Sequence, residues 1–334
     1  MDDWCQHLDA ISMAKQIDTG PTHDEVHCPR CQTLVPATTV IPEPLIQTLT
    51  PLLTARVDTG HLQTLDLSRA FLEGDMSRMV GEPDALYSLT LLSLARNSLT
   101  HLPDMIAALP ALTALNISHN ELTSLPAWLS TCPHLAVLNV GHNLLGRDSE
   151  VDVGVLDGSL ALERLFVEGN ALISPPFRSL RALPSLQVLI MSDNALDAQS
   201  MGSEIWDGGE GLTELALHNN PGAGSLPGCL YRFRRLRVLN ASNMGLLDVP
   251  PQIGSLDKLV RLNLSHNPEI DHLPPDILSL ASLERLNMAY TSITDIPELP
   301  FLEALRYVNI AGTHVLSLSG DISKLPNLHK IVFP

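Results

Sequence analysis

The sequence predicts an α/β solenoid, one short parallel strand per turn, stacked turn upon turn behind a small N-terminal cap. Three observations predict it. The segment LTLLSLARNSLTHLP (89–103) returns 23 residues later as LTALNISHNELTSLP (112–126), and self-similarity at a fixed short period marks stacked units. The leucines fall in L-x-x-L-x-L, whose later pair points to one side of a strand while the intervening residues point to the other. An asparagine then recurs at Asn97, Asn120, Asn143, Asn170, Asn194, Asn220 and Asn267.

Taken in order, the turns begin at Leu62, Leu89, Leu112, Leu135, Leu162, Leu186, Leu212, Leu236, Leu259, Leu283, Leu305 and Leu328. That makes about twelve turns over residues 62–334. One turn alone exposes an apolar edge that only a stacked neighbour can bury. The recurring Asn is suited to turning the chain and to bonding backbone groups that stacking would otherwise leave buried and unpaired. It is missing at Ala70, Met244, Thr291 and Thr313, where looser or terminal turns are expected.

The pairs Leu102-Pro103, Leu125-Pro126, Leu226-Pro227, Val249-Pro250, Leu273-Pro274 and Ile296-Pro297 resemble the L-P turns of the intracellular leucine-rich repeat class that includes Scribble-type and plant Ras-group proteins. The resemblance implies a right-handed arc with a parallel sheet on its concave face. It also implies protein binding there and, as a rule, no catalysis.

Composition supports an intracellular reading. The chain is 45% hydrophobic but only 4% aromatic, so the core is aliphatic. Its formal charge of −17 argues against nonspecific binding to nucleic acid or an anionic membrane, both of which depend on basic surface. A protein partner with a basic surface is expected. The start, MDDWCQHLDA, is acidic where a signal peptide is basic and lacks an apolar core, so a cytoplasmic protein is expected.

Residues 1–45 are different material. A short helix is expected over 8–17, capped by Asp9 and closed by Gly20-Pro21. Cys28-Pro-Arg-Cys31 has the knuckle spacing that lets two thiolates reach one zinc ion, and Cys5 and His7 are the candidate ligands to complete the site. His23 and His27 are substitutes for that pair, and a cap with free thiols or a redox C-x-x-C are the alternatives. Residues 46–61 then read as a segment covering the open end of the first turn.

Three steps between turns are long: 27 residues from Leu62 and again from Leu135, and 26 from Leu186. The inserts at 146–159 and 197–211 are acidic, and Trp206 in the second reads either as folded back onto the repeats or as an aromatic anchor on an acidic rim. Among outward strand residues, Arg164, Phe166, Glu168, Val188, Ile190 and Asp193 interrupt a column of asparagines with an apolar pair flanked by charge. An exposed Phe166 beside Ile190 in a polar rim has the composition of a binding hot spot, so these residues are the candidate partner site. The cluster Arg232, Arg234, Arg235 and Arg237 is suited to gripping a carboxylate or phosphate, or to pairing with local acids such as Glu210 and Glu214.

Catalytic signatures such as G-x-x-x-x-G-K-[ST], H-E-x-x-H and G-x-S-x-G do not occur in the sequence. The expectation is a noncatalytic scaffold or structural subunit, a monomer or a member of a hetero-complex, docking a protein on its sheet. A phosphatase regulatory subunit and a ubiquitin-ligase substrate adaptor using the C-x-x-C element are the alternatives.

Overall fold

The computed structural model describes residues 63–70, 72–75, 86–147, 154–297, 299–315 and 325–333. All belong to one compact unit covering residues 40–334. The helix expected over 8–17, Cys5, His7, Cys28 and Cys31, and the segment 46–61 lie outside the described residues.

Twelve three-residue strands form one sheet in chain order, every neighbouring pair parallel. They are Thr64–Asp66, Leu91–Ser93, Ala114–Asn116, Val137–Asn139, Arg164–Phe166 and Val188–Ile190, followed by Glu214–Ala216, Val238–Asn240, Arg261–Asn263, Arg285–Asn287, Tyr307–Asn309 and Lys330–Val332. The register never slips: Leu65, Leu92, Leu115, Leu138, Leu165 and Leu189 pair in succession, and the row continues through Leu215, Leu239, Leu262, Leu286, Val308 and Ile331. From Leu65 to Val308 this row is buried. A one-residue slip would turn it to solvent, and that fixes the pairing.

Opposite the strands, the chain returns through 3-10 turns, and the L-P pairs start them. Pro103, Pro126, Pro250 and Pro274 are extended, each with φ near −70°, immediately before the 3-10 helices Asp104–Ala108, Ala127–Thr131, Pro251–Ser255 and Pro275–Ser279. Each proline carbonyl accepts the first bond of its helix, from Ile106, Leu129, Ile253 and Ile277 at 3.0–3.2 Å. Proline's fixed φ presets that entry, and its missing N–H would have had no partner in the first turn anyway. The preceding Leu102, Leu125, Val249 and Leu273 are buried.

The recurring Asn ties one turn to the next. Asn267 is wholly buried; its Oδ1 accepts from the backbone N–H of Met244 and Leu246, both at 3.0 Å. Its Nδ2 donates to the Ala241 and Leu264 carbonyls at 2.9 and 2.8 Å. Asn120, Asn143, Asn194 and Asn220 make the same inter-turn connections. The turns lacking Asn are closed by other means. Met244 is buried and its carbonyl accepts from Gly224 at 3.0 Å, while Thr291 and Thr313 are buried and each donates back to its own turn, to Met288 and Ile310 at 2.8 Å.

Just before each Asn position the backbone turns left-handed. Arg69, Arg96, His119, His142, Asp193, Asn219, Asn243, His266 and Tyr290 all have φ between 51° and 59°, and Gly169 and Gly312 stand at the equivalent places. That conformation costs a non-glycine residue roughly 1–2 kcal/mol, least for Asn, Asp and His, which supply six of the nine. The return is a backbone bond to the next turn: Arg96, His119, Asn219 and His266 donate to Ser118, Gly141, Ser242 and Ala289 at 2.8–3.0 Å.

Candidate functional site

Because every strand is in register, the outward residues line up in columns across the sheet. The middle column runs Asn116, Asn139, Phe166, Ile190, Ala216, Asn240, Asn263, Asn287 and Asn309. From Phe166 to Asn287 it is buried. Adjacent turns stand about 4.8 Å apart, so outward side chains shield one another.

One expectation is corrected by this crowding, and a second, left open between two readings, is decided by burial elsewhere. Phe166 is 4% exposed and Ile190 1%, so the apolar pair is not an open spot on the face; with Val188, also buried, it is a small second core laid on the outside of the sheet. Trp206 is 0% exposed. Its Nε1 donates to the Ser200 carbonyl at 2.7 Å, so it folds back onto the repeats and is not an aromatic anchor for a partner. Glu168 and Arg164 are half-buried beside Phe166. A Cβ on Gly141 would come within 2.4 Å of Glu168 Oε1, so the carboxylate needs that glycine. Asp193 is exposed, accepts from Asn219 Nδ2 at 2.7 Å and lies 3.8 Å from His218 Nε2.

The inserts are stitched to the repeats by charge. Asp207 holds both Arg181, at 2.6 Å, and Arg232, at 2.5 Å, while Asp157 faces Arg178 at 3.8 Å. Arg232 is therefore engaged by Asp207 and also lies over the Tyr231 ring, 5.7 Å from its centroid. Arg234, Arg235 and Arg237 are exposed. Part of the expected anion-gripping cluster is thus taken up in holding the 197–211 insert.

The flanking column changes character along the sheet. It runs Leu91, Ala114 and Val137, then Arg164, Val188, Glu214 and Val238, then Arg261, Arg285, Tyr307 and Lys330. One end is apolar, the centre is mixed and the far end is cationic. Arg285 and Lys330 are exposed, Arg261 and Tyr307 half-buried. Lys330 Nζ lies 5.6 Å above the Tyr307 ring centroid, a cation–π distance. The sequence signal of this stripe is the repeated R-L-N of 261–263 and 285–287, in which the arginine precedes the buried leucine by one residue and so shares the outer face.

The left-handed residues form a spine along the edge of the face. His119 and His142 stack with centroids 4.3 Å apart, and His266 stacks on Tyr290 at 4.6 Å. Asn243 donates to Asn219, and Asn219 to Asp193. Burial, with His142 and Arg96 alongside, pushes the His119 imidazole down to about 4. Among the described residues, no group of three or more His, Cys, Asp or Glu is placed to hold a metal ion. Burial pushes the thiols of Cys132 and Cys229 up, so both are packing residues of low reactivity. No described helix is long and apolar enough to cross a membrane.

A leucine-rich repeat family model matches residues 87–145. Two Arabidopsis thaliana sequences named Disease resistance protein RPS6 are 31% identical over 127 residues, 36% of this chain; the match spans 11% of the length of those relatives. Among solved structures, a leucine-rich repeat protein of Leptospira interrogans superposes with a TM-score of 0.67 at 24% identity, covering 89% of this chain and 75% of that one. The PEPR1–AtPEP1 structure gives 0.60 at 24%, covering 81% and 38%, and the plant peptide hormone receptor RGFR1 in complex with RGF2 gives 0.50 at 21%, covering 81% and 51%. With the twelve-strand sheet, these likenesses show the fold of a leucine-rich repeat solenoid.

Proposed function

We propose that this chain is a noncatalytic binding module that docks a protein partner across the outward face of its sheet. The observation that supports this most is the unbroken register of twelve strands, which turns single residues into continuous columns. The stacking itself is held by the opposite, buried row and by the asparagines, so the outer columns vary from apolar to cationic without cost to the fold. A fold neighbour that is a peptide hormone receptor in complex with RGF2 is in keeping with such use.

Site-specific photocrosslinking tests the reading. A benzophenone side chain is placed at Leu91 or Tyr307 on the face, and at Gln252 or Ser279 in the exposed 3-10 turns on the other side. In extract from the source cell, discrete protein adducts are expected from the face positions and not from the turns. Adducts confined to 252 and 279 would overturn it.

A further inference from the structure

The geometry points to the stripe Arg261, Arg285, Tyr307 and Lys330, with Asn309 beside it, as a docking site for an acidic, extended segment of a protein partner. The inference rests on the binding-module reading and names the chemistry of what binds at one end of the face.

The first ground is charge. In a chain of net charge −17, three cations occupy one column on four consecutive strands. Neither Arg261 nor Arg285 forms an ion pair with any described residue. Glu284, next to Arg285 in the chain, faces Arg306 at 3.7 Å. The nearest acid in the same column, Glu214, is two strands from Arg261. Cations crowded without counter-charge repel one another, a cost that a bound anion removes.

The second ground is hydrogen bonding. Asn263, Asn287 and Asn309 each turn the side-chain oxygen back to accept the N–H two residues on, from Ser265, Ala289 and Ala311, at 3.1–3.2 Å. That backbone donor dictates which end of the amide points inward. The three NH2 groups consequently face away from it and donate to no described residue. Asn263 and Asn287 are covered and Asn309 is half-buried, so the amides add donors to the exposed cations chiefly at the Asn309 end, where the complement is carboxylates and extended-peptide carbonyls.

The third ground is length. Arg261 and Lys330 are three strand spacings apart, about 14 Å, which an extended peptide covers in about four or five residues. A segment of that length with two or more Asp or Glu, crossing the strands, satisfies the stripe. Tyr307 offers it a ring edge between the charges.

The test uses the full chain and a fluorescein-labelled decapeptide of alternating glutamate and serine, with the glutamine version as control, read by fluorescence polarisation. The acidic peptide is expected to saturate at micromolar concentration despite the protein's overall negative charge, and to weaken as salt is raised. Arg285→Glu and Lys330→Glu are each expected to lose about tenfold or more in affinity, while Arg147→Glu, the same charge change at an exposed position away from the stripe, loses less than about twofold. Asn309→Asp keeps the oxygen that holds its turn but replaces the donor; it is expected to lose about tenfold where Asn116→Asp, at the apolar end, loses nothing. No saturable binding, equal binding of the glutamine peptide, or equal loss in Arg147→Glu overturns the inference. Partner adducts at Tyr307 that persist with Arg285→Glu would overturn it while leaving the binding-module reading intact; absence of adducts from every face position of the otherwise unchanged protein would remove both.

Discussion

Replacing Asn267 by alanine isolates the interaction that joins one turn to the next. Its Oδ1 is the acceptor for two buried backbone N–H groups, of Met244 and Leu246, and its Nδ2 bonds two carbonyls, of Ala241 and Leu264. Alanine leaves both N–H groups buried without an acceptor, at about 1–3 kcal/mol each. The carbonyls lose less, since each has a second lone pair. The expected destabilisation is about 4 kcal/mol, a large part of the stability of an ordinary domain. Because repeat stability is a sum over neighbouring turns, the loss should be local. Amide hydrogen exchange read at Met244 and Leu246, with urea unfolding alongside, is the assay. Asn97→Ala gives the scale, since Asn97 is half-buried and its oxygen holds one N–H, that of Leu72 at 3.1 Å; about 1–2 kcal/mol is expected there. Wild-type protection at residues 244 and 246, or a stability change under about 1 kcal/mol, would refute the idea that these amides carry the stacking.

Phe166→Ala is expected to lower stability by about 3 kcal/mol, measured by urea unfolding, because the ring is covered and its removal leaves a cavity on the sheet; an unchanged midpoint would mean the space refills. Protonation of His119 opposes folding. Its imidazole is pushed down to about 4 in the fold from an ordinary 6.5, so the contribution of the neutral ring is present above pH 6.5 and is lost as pH falls toward 4. Water screening holds that contribution to about 1 kcal/mol or less. Wild type should therefore lose its margin over His119→Gln across that window in thermal melts, and a constant margin would contradict the assignment. For the N-terminal C-x-x-C element, metal analysis of protein prepared without chelator should find about one zinc per chain, lost in Cys28→Ser or Cys31→Ser with the repeats still folded; metal-free protein would dismiss the zinc proposal.

The sequence by itself determined the solenoid, the strand positions and the inter-turn asparagines. A period of about 23 residues fixes which leucines share a row, and a side chain able both to accept and to donate is required wherever stacked backbone is buried. The left-handed spine was also latent there, in the His, Asn, Asp or Gly that so often precedes the ladder residue. What only the tertiary structure decided is how much of each outward side chain reaches water. Strand alternation places Phe166 and Ile190 on the outer face, but exposure depends on the columns either side, and strands about 4.8 Å apart close over a middle column that the sequence shows as open. Trp206 is the same lesson in an insert, since its backbone acceptor, the carbonyl of Ser200, is supplied by the fold of that insert. The cationic stripe joins residues as distant as Arg261 and Lys330, which fall in one column only because each turn brings the chain back to the sheet in the same register.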